Sequence, residues 1–276
     1  MTLRAGFGKI DGMARILVLI LALSLFACGP PRRSQTAAPG PQAATAHVTA
    51  PHFSDSRPNP GLGVVPLAYP VHGVDLSRYQ SGVDWPMARR VGVNFAFVKA
   101  TEGSDGFDPL FASHWTGAKA AGVQRGAYHM YYHCRPAAEQ ARWFIAHVPR
   151  DAAALPPVLD MEWTPTSPTC RIRRAPEVIR AEARVFLNAV GQHYGKRPIV
   201  YTAPDFYDDN ELWRLTGVDF WLRSVAVPVS QRYPGRVWTF WQYSGTGLVP
   251  GIAGKVDLNV FGGTAQDWAN FAGGRR

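Results

Sequence analysis

From residue 71 to about residue 271 the chain alternates short apolar runs with longer amphipathic ones, and this rhythm constrains the fold more than any other feature. Residues 94–100 form a nearly unbroken apolar run, as in a strand buried on both faces of a parallel sheet. Strand-like runs recur at 71–75, 126–132, 157–162, 198–202, 220–223 and 237–243. Between them lie segments with helix signals. Asp84 precedes Trp85-Pro86 as an N-cap, Asp108-Pro109 opens a segment ended by Gly122, and 136–148 is helical in pattern. Residues 176–194 start at a proline and stop at Gly195, and 212–215 forms a short helix. Strand–helix alternation of this kind points to an α/β architecture with a parallel sheet.

An open doubly wound sheet and a closed barrel both satisfy that pattern. No glycine-rich phosphate loop follows the first strand, so a nucleotide fold has little support. Polar residues gather instead at the ends of several strands: Asp75, Lys99 to Glu102, His129, Asp160 to Glu162, and Gln242. Barrels concentrate function on that face. Roughly 200 residues is short for a regular eightfold barrel, and the late strands lack clear helices between them. The expectation is a single-domain, irregular or incomplete (β/α) barrel over residues 71–271.

The first 28 residues read as a segment apart from the fold. Arg4, Lys9 and Arg15 precede an apolar run over 16–26 that is too short to span a bilayer and suits a signal-peptide core. Leu25-Phe26-Ala27-Cys28 resembles a bacterial lipobox, which makes Cys28 the candidate lipidated residue and the cell envelope the expected location, with the chain held on a membrane. Residues 29–70 are rich in Pro, Ala, Gly, Ser and Thr without periodicity, the composition of a disordered tether. In an exported chain the two remaining cysteines, Cys134 and Cys170, are expected to form a disulfide between loops that follow neighbouring strands. The formal charge of +9 suits an anionic partner. No zinc-finger, RNP or helix-turn-helix signature supports nucleic acid, and no cysteine–histidine spacing suggests a metal.

Asp160-Met161-Glu162 ends one strand. Side chains alternate along a strand, so both carboxylates face one side, with Cα atoms about 6.6 Å apart. In a partly desolvated site two such groups cannot both ionise freely, so one is held protonated and becomes a general acid. Glycosidases use one acid and one anion in this way. Solvated strand ends and metal ligands also carry such pairs.

Further motifs narrow the reading. His72-Gly73-Val74-Asp75-Leu76-Ser77-Arg78-Tyr79-Gln80, Phe97-Val98-Lys99-Ala100-Thr101-Glu102-Gly103, Gly126-Ala127-Tyr128-His129, residues 159–162, Trp241-Gln242-Tyr243-Ser244 and Val256-Asp257-Leu258-Asn259 occur in this order. Together they resemble glycoside hydrolase family 25, lysozyme-like N-acetylmuramidases with an irregular (β/α) barrel. The resemblance implies peptidoglycan glycan strands as substrate, no cofactor and a monomeric enzyme. It makes Glu162 the general acid/base, Asp160 its partner as nucleophile or as orienter of the sugar's 2-acetamido group, and Asp75 and Asp257 further acids of the site. Tyr128, Trp163, Tyr201, Trp241 and Gln242 are candidate substrate contacts. Lys99 and Glu102 are expected to pair with each other, and His129 and His133 to be structural. Arg171, Arg173 and Arg174 form a basic cluster that either is solvated or draws in substrate carboxylates. Where family members often carry a Trp-x-Ala-x-Tyr segment, this chain has Trp221-Leu222-Arg223-Ser224-Val225.

Overall fold

The structure, a computed structural model, describes residues 47–63 and 65–275. The expected signal segment, Cys28 and the first part of the expected tether lie outside them. In chain order the elements begin with β1 (Ser54–Asp55), β2 (His72–Leu76), α1 (Trp85–Arg90), β3 (Phe95–Glu102), β4 (Gly106–Phe107) and α2 (Phe111–Ala120). They continue with β5 (Gln124–Met130), α3 (Ala137–His147), β6 (Val158–Met161), α4 (Pro176–Tyr194), β7 (Ile199–Thr202) and α5 (Pro204–Asp209). The chain closes with β8 (Asp219–Arg223), α6 (Val229–Arg232), β9 (Phe240–Leu248), β10 (Val256–Phe261) and α7 (Ala265–Ala272).

The helices start and stop where the local chemistry dictates. Asp84 Oδ1 accepts the Met87 N–H at 2.9 Å and caps α1. α4 begins at Pro176 and ends on Gly195, whose φ of 66° is the left-handed conformation that glycine adopts at lowest cost. Asp108 caps differently from the expectation. Its two oxygens accept the N–H groups of Leu110 and Arg78, and α2 starts only at Phe111.

The strands β2, β3, β5, β6, β7, β8 and β9 are parallel neighbours in turn, and β10 runs antiparallel between β9 and β2. This closes an eight-stranded barrel. It is irregular, as expected, but not incomplete. The strand β10 supplies the closure, and Val256-Asp257-Leu258-Asn259 lies outside the strand-like runs read from the sequence.

Strand parity sorts side chains between two cores. Val74, Val98, Leu159, Val200 and Leu222 face outward and pack against the helices. Phe95, Phe97, Val158, Ile199, Trp221 and Phe240 face the lumen and fill it, with Trp268 of α7 plugging the end at which the parallel strands start. Phe97 stacks on Trp221 with ring centroids 4.5 Å apart. The lumen holds rings of this size because the flanking strands carry glycine opposite them. A Cβ on Gly73 would lie 2.5 Å from both the ring and the carbonyl oxygen of Phe95, and one on Gly126 would lie 2.8 Å from the Phe97 ring.

The described end of the expected tether belongs to the barrel. Thr49 N–H donates to Asn94 Oδ1 at 2.8 Å, β1 pairs antiparallel with the end of β9, and Leu62 is buried. Composition hid this, because the segment takes its order from partners elsewhere in the chain and has no period of its own. Thr49 meets Asn94 just before β3, so the chain enters the barrel at the pole where the parallel strands start.

Gly73→Ala should lower stability by about 1–3 kcal/mol, because backbone as well as a ring blocks the added methyl. Urea unfolding measures this, and an unchanged midpoint would contradict the packing described.

Candidate active site

At the opposite pole, where the parallel strands end, the lumen changes from aromatic to acidic. A cleft of about 500 Å³ opens there. Strand parity delivers its lining: Asp75 from β2, Tyr128 and Met130 from β5, Asp160 from β6 with Glu162 just beyond, and Tyr201 from β7. Trp221 and Arg223 of β8, Gln242 of β9 and Asp257 of β10 complete the ring, and Tyr79 stands exposed at the rim.

Asp75 is the most heavily held acid. Its Oδ2 accepts from Gln242 Nε2 at 2.9 Å and from Asn259 Nδ2 at 2.8 Å. These donors are themselves fixed. Tyr201 O–H donates to Gln242 Oε1 at 2.9 Å, and Trp221 Nε1–H donates to Asn259 Oδ1 at 2.8 Å. Asp257 sits directly across from Asp75 in the β10–β2 pairing. Burial, and then the Asp75 charge, push the Asp257 carboxyl up to about 8, while burial also raises Asp75. Protonated Asp257 therefore donates to Asp75, and the pair carries one negative charge at neutral pH.

The second pair is Asp160 and Glu162. Burial is the main force raising Asp160, followed by the Glu162 charge, whereas Lys99 pulls it down. Its Oδ1 is buried and accepts no hydrogen bond. Burial pushes Glu162 up to about 7, against the pull of Arg223, with Asp205 and Asp75 adding to the rise. A carboxyl at that position is protonated often enough at neutral pH to act as an acid, and ionised often enough to act as a base.

The backbone of Glu162 is anchored from behind. His133 Nε2–H donates to the Glu162 carbonyl at 2.9 Å, and the His133 ring stacks on Phe206. The next residue, Cys134, is disulfide-bonded to Cys170, which ties the loop after β5 to the loop after β6. Arg174 Nε donates to the His133 carbonyl at 2.7 Å. His129 is fully buried between Thr101 and Gln140, and Lys99 Nζ lies 2.5 Å from Glu102 Oε2. Both histidines are thus structural, as expected, and the Lys99–Glu102 pair forms.

The four acids are brought together in one cleft, and Tyr128 lines it. Several candidate substrate contacts are placed otherwise. Gln242 reaches the cleft, but both ends of its amide are engaged with Asp75 and Tyr201. Tyr201 lines the cleft with its hydroxyl spent on Gln242. Trp241 does not face the cleft at all. It is fully buried on the outer side of β9, with Nε1–H donating to the Ser224 carbonyl. Trp163 stands outside the cleft lining, with Nε1–H bonded to Asp209 Oδ2 and the Arg173 guanidinium 4.4 Å over its ring. Trp221, Arg223, Met130 and Tyr79 were not singled out as site residues. Parity along 220–223 already places Trp221 and Arg223 on one face.

Raised carboxyls destabilise the fold once they must ionise. Between the ordinary carboxylate range, about 4, and about 8, the folded state holds protons on Asp257 that the unfolded state has released, so their contribution falls as pH rises. The buried histidines His72 and His129, held down at about 4 by burial, act in the opposite sense below about 6.5. The test is therefore a difference. Asp257→Asn should gain melting temperature over the native protein progressively from about pH 4 to about pH 8. A pH-independent difference would contradict the shared proton.

With this geometry in view, the chain can be set beside known proteins. The family model for glycosyl hydrolases family 25 matches residues 74–252. Lysozyme M1 of Streptomyces globisporus is 34% identical over 212 residues, which is 71% of this chain and 69% of that protein. Among solved structures, a family 25 glycosyl hydrolase from Bacillus anthracis superposes with a TM-score of 0.67 at 33% identity, covering 81% of this chain and all of that one. A lysozyme from Streptomyces coelicolor gives 0.67 at 30% identity, covering 75% and 98%. The acidic cleft at the end of an irregular barrel and the match over most of the folded part agree: the chain belongs to glycoside hydrolase family 25.

Proposed function

We propose that the protein is a peptidoglycan muramidase, hydrolysing the β-1,4 bond between N-acetylmuramic acid and N-acetylglucosamine with net retention. The observation that carries this reading is the Asp160–Glu162 pair in a desolvated cleft, with Glu162 poised near neutrality. Glu162 is the general acid/base. Its proton passes to the leaving glycosidic oxygen as the bond to the anomeric carbon breaks.

Asp160 acts as the carboxylate that orients the 2-acetamido group rather than as the direct nucleophile. Support comes from its buried Oδ1, which lacks a donor that an acetamide N–H can supply. That hydrogen bond favours the Asp160 anion, so substrate binding leaves the shared proton on Glu162. The acetamide oxygen then attacks the anomeric carbon. Water, deprotonated by Glu162, then bonds to the anomeric carbon from the face the leaving group vacated as the acetamide oxygen departs, which reopens the ring and gives a retained product. Asp75 and the protonated Asp257 hold one negative charge beside the developing cation. The chemistry draws on carboxyl groups alone, and one barrel carries the whole site, so the enzyme acts as a monomer without a cofactor.

The N-terminal segment extends the proposal. Export through the signal segment and lipidation at Cys28 would hold the enzyme on a bacterial membrane, with residues 29–46 as the tether.

Digestion of peptidoglycan followed by mass spectrometry should place new reducing ends on muramic acid. Glu162→Gln should lower the rate by about 10²–10⁴-fold without loss of folding, and the native rate should decline as pH rises through about 7. Reducing ends on glucosamine, or a variant as active as the native protein, would sink the reading. Cys28→Ser should move the protein from the membrane to the soluble fraction, and retention on the membrane would remove lipidation from the account.

A further inference from the structure

We propose that Arg223 is a specificity-determining residue that binds a substrate carboxylate beside the scissile bond, so that the cleft selects an anionic glycan strand over a neutral one of the chitin type. The inference rests on the muramidase reading and adds to it the group that recognises the acid-bearing sugar.

Arg223 ends β8 on the lumen side, opposite Gln242 in the pairing with β9. It is half-buried in the cleft wall. Its backbone is fixed, because the Tyr233 hydroxyl donates to its carbonyl at 2.9 Å. Its guanidinium is not fixed. Among the described residues it makes no ion pair and no side-chain hydrogen bond, although four acids share the cleft. The other cation there, Lys99, is already spent on Glu102. The arginines of the 171–174 cluster are spent as well: Arg173 on Asp209 and Trp163, Arg174 on the His133 carbonyl, and Arg171 on the Ser167 carbonyl.

A guanidinium kept half out of water without a partner has its five N–H donors free for a ligand, and its planar fork matches a carboxylate in two parallel bonds. Its field reaches Glu162, Asp75 and Asp257, so it stands next to the acid that works on the glycosidic bond. A carboxylate it captures therefore lies on, or hangs from, the sugar being cut. In peptidoglycan two sources present that group: the lactyl carboxylate of a peptide-free muramic acid, and the carboxylates of an attached stem peptide. Arg223 is also one of the two residues, with Val225, at which 221–225 departs from the Trp-x-Ala-x-Tyr pattern, which makes the recognition a property of this chain's own cleft.

The test compares Glu162→Gln with Glu162→Gln/Arg223→Ala and Glu162→Gln/Arg223→Lys. Calorimetry would measure binding of three probes: a glucosaminyl-muramic acid disaccharide with a free lactyl group, the same disaccharide with that carboxyl amidated, and the disaccharide bearing a stem peptide. The parent should prefer at least one carboxylate-bearing probe over the amidated one by about tenfold, the alanine variant should lose that preference, and lysine should restore part of it. Preference for the free lactyl probe alone assigns the lactyl group, and preference for the peptide probe alone assigns the stem. Equal preferences in parent and alanine variant overturn the proposal. Because binding is read in an inactive background, that failure is separate from failure of the muramidase reading, which shows in the products released by the native protein.

Discussion

The structure depends on the burial of like charges. Four carboxyl groups share one end of a barrel whose remaining lumen is aromatic, and none can ionise there as it would in water. The protein meets this constraint in two ways. Around Asp75 it builds a closed set of donors, with Gln242 and Asn259 held in turn by Tyr201 and Trp221. Around Asp160 it builds almost nothing and leaves one oxygen without a donor. The first arrangement supports the one negative charge that Asp75 shares with Asp257. The second leaves a buried acceptor unpaired.

The same division explains the scaffolding. The apolar lumen under the cleft excludes water, which is what raises the carboxyls, and it exists because Gly73 and Gly126 make room for Phe95 and Phe97. The loop carrying Glu162 leaves the barrel, so β-ladder hydrogen bonds cannot hold it. The His133 hydrogen bond and the Cys134–Cys170 bridge hold it instead, from the loop of the adjacent strand. The Glu162 side chain thus stands half-buried in the cleft on a fixed backbone.

Much of this was legible in the sequence, for a physical reason. Parallel strands buried on both faces are apolar throughout, so a polar residue at the end of such a run is conspicuous, and this is how Asp75, Asp160 and Glu162 stood out. Period-two alternation added that Asp160 and Glu162 share a side. The same rule shows why Trp241 and Gln242 cannot both face the cleft: adjacent strand residues point apart, and Gln242 takes the inner position. Other features carried no local signal. The strand β1 and the ordered stretch from residue 47 are defined by the edge of β9 and by Asn94, nearly 200 and about 45 positions away in the chain. The strand β10 was not among the strand-like runs, and its pairing with β2 and β9 is what defines it. Arg223 was noticed as a departure from a motif, but only the geometry showed that its guanidinium is unspent.

The central claim is that desolvation holds a proton on Glu162 near neutrality, and carbon-13 NMR of the Glu162 side-chain carboxyl tests it most directly. The account predicts that this resonance titrates near pH 7 in the free protein. Titration in the ordinary glutamate range, about 4.3, would contradict it.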